Sequence, residues 1–92
     1  MIENKTVLLT GAAGGIGSEI VRLLAEDGAK LILVDRDLKA LERVTGTIQT
    51  NRNNVKLLAA DIGSPSGREK VLATLEAEGG RLDILINCAG IN

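Results

Sequence analysis

At 92 residues, 45% of them apolar, the chain is long enough for one domain with a modest core and too apolar to be disordered. Eleven basic residues against twelve acidic ones give a net charge of −1 with no basic cluster, which argues against a nucleic-acid surface or an anionic membrane as partner. There is no Phe, Tyr or Trp, so the core falls to Leu, Ile, Val and Ala, and the single cysteine, Cys88, excludes an intrachain disulfide.

The N-terminus, Met1 to Lys5, lacks the basic region and apolar core of a secretory signal. No apolar run approaches the ~20 residues of a membrane helix. With one cysteine, which suits a reducing compartment, these features point to the cytoplasm. No repeat, low-complexity segment or linker interrupts the chain, so residues 1–92 are expected to form one domain.

Lys5 to Thr10 reads as a first strand whose continuous apolar centre suits burial on both faces of a parallel sheet. Gly15 to Asp27 follows as a helix, with Ile16, Ile20, Leu23 and Leu24 expected on its buried face and Gly28 as its stop. Lys30 to Asp35 is the second strand. Asp37 is placed to cap a second helix from Leu38 to about Ile48, with Leu38, Leu41, Val44 or Thr45, and Ile48 as its buried stripe. Residues 50–54 form a polar turn. Val55 to Ala60 is the third strand. Ser64 followed by Pro65 is a helix start signal, and that helix runs to about Glu78, burying Val71, Leu72 and Leu75, before Gly79-Gly80 ends it. Leu82 to Asn87 is the fourth strand. Strand alternating with helix implies right-handed crossovers and an α/β fold, a parallel four-stranded sheet with helices on both faces, and the expected strand order is 3-2-1-4. A ligand is then expected beyond the carboxyl ends of the strands, where the order reverses.

The turn between the first strand and the first helix reads Thr10-Gly11-Ala12-Ala13-Gly14-Gly15-Ile16-Gly17. Backbone N–H groups at a helix start are unpaired and carry partial positive charge, so they bind phosphate oxygens. Glycines let the backbone turn sharply and approach a ligand closely. Asp35 ends the second strand 18 residues after Gly17, near the ~20-residue interval at which an acid reaches the adenosine ribose of a dinucleotide. A carboxylate there accepts from the ribose hydroxyls and repels a 2′-phosphate, favouring NAD over NADP. Arg36 beside it has the opposite tendency, since an Arg can pair with a 2′-phosphate.

The spacing Gly11-x-x-x-Gly15-x-Gly17 resembles the T-G-x-x-x-G-I-G turn of the short-chain dehydrogenase/reductase family, and the resemblance runs from Lys5 to Gly90. It implies a Rossmann-like cofactor half in which Gly11, Ala13, Gly14, Gly15, Ile16 and Gly17 meet the dinucleotide. It also implies that Asp61 bonds the adenine amino group while Ile62 packs on the ring; an acid near the start of the third helix accounts for Asp61 equally well. Asn87-Cys88-Ala89-Gly90 resembles the family's Asn-Asn-Ala-Gly segment with Cys in second place. The family implies that Asn87 bonds across the central strands and that Ala89 and Gly90 let the adenosine ribose approach the backbone. Cys88 has no His to activate it and reads as packing.

The family's catalytic Tyr-x-x-x-Lys and Ser lie after that segment, and this sequence contains neither Tyr nor His. The resemblance therefore implies no catalytic residue within residues 1–92, and a truncated NAD-binding domain that is inactive alone. Three functions stay open. One is a dinucleotide-binding module. Another is part of an oxidoreductase that gains activity from a chain supplying the catalytic half. The last is a remnant without selected function. The fourth strand, apolar at Leu82, Ile84, Leu85 and Ile86, is left at a sheet edge, which predicts a homodimer or larger assembly through Leu82–Asn87.

Overall fold

The structure is a computed structural model describing residues 2–48 and 52–88. Strands β1 (Thr6–Thr10), β2 (Lys30–Asp35), β3 (Val55–Ala59) and β4 (Ile84–Asn87) alternate with helices α1 (Gly15–Glu26), α2 (Leu38–Gly46) and α3 (Pro65–Ala77). All pairings are parallel and the order is β3-β2-β1-β4. This is the expected doubly wound, Rossmann-like arrangement. β1 and β2 are buried along nearly their whole length because helices cover both faces.

Alternation along each strand divides the core in two. Val7, Leu9, Leu31 and Leu33 meet Val21 and Ala25 of α1 and Leu41 of α2 on one face. Leu8, Ile32 and Val34 meet Val71 and, at its edge, Leu75 of α3 on the other. Asp37 caps α2, accepting from the Ala40 amide at 3.2 Å, and Ser64 caps α3, accepting from the Gly67 amide at 3.0 Å. Gly28 and Gly79-Gly80 take positive φ at the ends of α1 and α3, as helix stops do.

Three details differ from expectation. The buried face of α1 is centred on Gly17, Val21 and Ala25, with Ile20 and Leu24 half-buried at its edge; Ile16 and Leu23 are more than half exposed. Small residues win the centre because they let the helix approach the sheet closely. A Cβ on Gly17 would stand 2.3 Å from the Gly11 carbonyl oxygen. Leu38 and Leu72 are likewise exposed, since each lies to the side of the residues that touch the sheet, Leu41 and Val71. β4 begins at Ile84 rather than Leu82, because Asp83 turns its carboxylate back onto β1. Thr50 and Asn51 of the polar turn lie outside the described residues; the rest, Arg52–Asn54, is a single 3-10 turn.

Candidate dinucleotide site

The chain leaves the sheet at the end of β1 through Gly11, whose φ of 70° is a left-handed conformation that glycine adopts without strain. The turn reaches α1 at Gly14. Glycine offers no capping side chain, so α1 alone of the three α-helices has no N-cap side chain accepting from its first-turn amides. The amides at its start are left facing outward with the positive end of the helix dipole. An ideal Cβ on Gly15 meets nothing within 4 Å. The fold itself therefore does not demand glycine there, whereas it does at Gly17.

Beside this turn a cleft of about 470 Å³ opens over the carboxyl ends of β1, β2 and β3. It gathers Gly11 and Gly14 of the turn, Asp35 and Arg36 after β2, and Asp61 and Ile62 after β3. Its position, where the strand order reverses about β1, is the one at which open α/β sheets bind ligands. The Asp35 carboxylate is half-buried and accepts from the Ala13 amide at 3.1 Å and the Asp37 amide at 3.2 Å. Asp61 is exposed, and its Oδ1 accepts from the Gly63 amide at 2.8 Å. The Asp61 loop is drawn tightly against α3, since a Cβ on Gly67 would fall 1.8 Å from the Asp61 carbonyl oxygen.

Of the other expected site residues, Ala13 bonds Asp35 through its amide, Gly15, Ile16 and Gly17 form the first turn of α1, and none of the four is in the cleft lining. Asn87 Oδ1 accepts from Thr10 Oγ1 at 2.6 Å, which ties β4 to β1 at the site's floor. Ala89 and Gly90 lie outside the described residues. The cleft also holds residues that the sequence reading did not choose: Thr10, Val34, Ala60, Gly63 and Cys88. Each of the five adjoins a chosen residue in the chain, which is the signal the sequence offered for them. Cys88 is buried in the core against β1, as its packing role requires.

At the opposite end of the sheet, Asp83 Oδ2 accepts from the Thr6 amide at 2.8 Å and Oδ1 from Arg81 Nε at 3.0 Å. The Thr6 amide above all, then Arg81 and Lys5, holds this carboxyl below its ordinary value. On the outer side of α1, Arg22 bridges Glu19 and Glu26, lowering the Glu19 pKa through the hydrogen bond and charge of the guanidinium. Among the described residues no helix is long and apolar enough to cross a membrane.

A parallel β3-β2-β1-β4 sheet with a glycine turn into an uncapped helix defines the class as Rossmann-like α/β. The sequence matches the short chain dehydrogenase family over residues 5–92. It is 36% identical over 90 residues to 2,3-dihydro-2,3-dihydroxybenzoate dehydrogenase of Bacillus subtilis, covering 98% of this chain and 34% of that protein. The glucose dehydrogenase of Caenorhabditis elegans, in its apo form, superposes with a TM-score of 0.90 at 32% identity, covering 99% of this chain and 40% of that one. The 3-ketoacyl-(acyl-carrier-protein) reductase of Brucella melitensis, solved with NADH, superposes with a TM-score of 0.80 at 34% identity, covering 92% and 34%. The chain belongs to the short-chain dehydrogenase family, and it spans about a third of the length of the curated relatives it matches.

Proposed function

We propose that this chain is a nicotinamide-dinucleotide binding unit that takes NAD(H) in preference to NADP(H). The observation that carries this is the cleft that gathers the glycine turn, Asp35, and Asp61 with Ile62 at one end of the sheet. The residues fit the dinucleotide on their own chemistry. The free space over Gly15 and the uncapped start of α1 suit a pyrophosphate. Asp35 accepts from the adenosine ribose and repels a 2′-phosphate more than Arg36 attracts it. Asp61 accepts from the adenine amino group and Ile62 covers the ring. By the family resemblance, Asn87 steadies β4 beside the site, and Ala89 and Gly90 admit the ribose.

The bound cofactor would supply hydride chemistry. What this chain contributes is binding and orientation, because it has no Tyr or His to move a proton. A second reading, part of an oxidoreductase completed by residues elsewhere, is favoured by one observation: the chain matches only about a third of its relatives' length. In both readings the single cysteine suits the cytoplasm, and the isolated chain self-associates through β4.

NADH titration tests the binding reading directly. The chain has no aromatic residue, so nicotinamide fluorescence is read without protein background. Saturable binding of NADH, with NADPH weaker, is expected. No binding of either at millimolar concentration overturns the proposal.

A further inference from the structure

We propose that Asp35 is a positioning residue for the phosphate-binding turn as well as an acceptor for ribose. The proposal rests on the dinucleotide reading and deepens it. The backbone ladder between β1 and β2 ends with Thr10 opposite Val34. One further backbone bond follows, from the Ala12 amide to the Val34 carbonyl at 3.1 Å. At Gly11 the chain has already turned out of the sheet, so the next amide, Ala13, has no strand carbonyl to meet. The Asp35 side chain takes that place, with Oδ2 accepting from Ala13 at 3.1 Å. Asp35 is itself fixed from two directions. Its carbonyl accepts from the Ala60 amide at 2.9 Å, across from β3, and its Oδ1 accepts from Asp37. One residue thus ties the glycine turn to the loops after β2 and β3, the three segments that line the cleft.

The consequence is a coupling between phosphate and ribose recognition. If Asp35 acted only on the ribose, a ligand without a ribose would not need it. Its negative charge would even oppose such an anion, and removing the charge would strengthen binding. If Asp35 orders the turn, removing the side chain weakens binding of the anion despite the lost repulsion. The sign of the effect separates the two roles. Exchanging Asp35 for a small residue to admit a 2′-phosphate would likewise raise the NADPH-to-NADH ratio while weakening both.

Inorganic pyrophosphate, competed against NADH, is the probe. Asp35→Asn removes the charge and keeps an oxygen for Ala13, so it binds pyrophosphate at least as tightly as wild type. Asp35→Ala loses both and binds about five-fold more weakly than Asp35→Asn, the worth of one hydrogen bond. Asp35→Glu keeps the charge but moves the carboxylate off Ala13, and also weakens binding; it holds the test open if the alanine variant folds poorly. Amide exchange of Ala13, measured without ligand, is slow in wild type and Asp35→Asn and fast in Asp35→Ala. Pyrophosphate binding that is equal or tighter in Asp35→Ala than in Asp35→Asn, with Ala13 exchange unchanged, overturns the proposal. If wild type binds neither NADH nor pyrophosphate, the dinucleotide reading fails, and Ala13 exchange alone decides the role of Asp35 in the turn.

Discussion

Gly15 and Gly17 stand two residues apart in one helical turn, and the structure gives them opposite reasons for being glycine. A Cβ at Gly15 enters open space, while one at Gly17 stands 2.3 Å from the Gly11 carbonyl oxygen and 3.2 Å from the Ala12 Cα. The second contact is backbone against backbone, so α1 and the turn must move apart by roughly 1 Å to reach ordinary contact. Overpacking of that kind costs about 1–3 kcal/mol. In a domain of this size each kcal/mol moves Tm by about 4–8 °C, so Gly17→Ala is expected to lose at least about 5 °C. Gly15→Ala meets no obstacle and gains from a less flexible unfolded chain, about 0.4–1 kcal/mol. Its Tm is expected to rise by about 2–8 °C. Function reverses the order. Gly15→Val, folded by circular dichroism, is expected to abolish NADH binding by filling the space assigned to the pyrophosphate, and Gly15→Ala to weaken it. Thermal unfolding and NADH fluorescence on the same preparations read both effects. A folded Gly15→Val that binds NADH as wild type does would refute the assignment of the turn. An undiminished Tm in Gly17→Ala would refute the packing argument.

Asp83 is held ionised mainly by the Thr6 amide. Its folded pKa is depressed, so its stabilisation is present above the ordinary value of 3.8 and is lost as pH falls through the lower folded value. Urea midpoints followed from pH 7 to 2 are expected to show an acid fall that is shallower in Asp83→Asn; parallel curves would count against it. Ser64→Ala removes the cap of α3, whose Oγ also donates to the Asp61 carbonyl at 3.0 Å, and is expected to cost about 1 kcal/mol by denaturant titration. The purified chain is expected to show no NAD-dependent oxidation of alcohols; turnover that is lost in Asp35→Ala would reverse that reading.

What the sequence disclosed follows from how local each feature is. Asp37 and Ser64-Pro65 read correctly as helix starts because a cap and its amide lie three residues apart. The parallel sheet followed from alternation and crossover handedness; its order did not, since a 2-1-3-4 order obeys the same rules, and it followed from the arrangement expected of a dinucleotide-binding glycine turn. The buried face of α1 did not, because periodicity favours large apolar side chains, whereas a helix laid close on a sheet needs small ones at its centre. Gly17, Val21 and Ala25 carry that contact, and Ile16 and Leu23 are left outside it. The ties of Asp83 to Thr6 and of Asp35 to Ala13 span 77 and 22 residues. No local pattern marks a carboxylate that replaces a strand partner, so these were legible only once the sheet had placed both ends together.

The uncovered apolar side chains follow the same logic and bear on self-association. Leu85 of β4 is 61% exposed, and beyond β4 no described strand pairs with it. Arg22 and Glu26 of α1 share a groove with Thr47 and Ile48 after α2, so Ile16, Ile20 and Leu23 occupy the opposite flank, toward β4. Two-fold pairing of β4 with β4 of a second copy would continue the sheet and cover Leu85. It would not cover the α1 flank. α1 packs over β1 and β2, so the two α1 axes would stand about four strand spacings apart, ~19 Å, whereas helices in contact lie about 8–10 Å apart. Edge pairing is therefore expected to be weak, populated at tens of micromolar, roughly −6 kcal/mol, and carried by β4 alone. Light scattering across a concentration series is expected to show dimers that Leu85→Lys dissociates and Leu23→Lys leaves intact. A monomer at all concentrations, or a dimer broken by Leu23→Lys and not by Leu85→Lys, would show that β4 is not the surface that joins the copies.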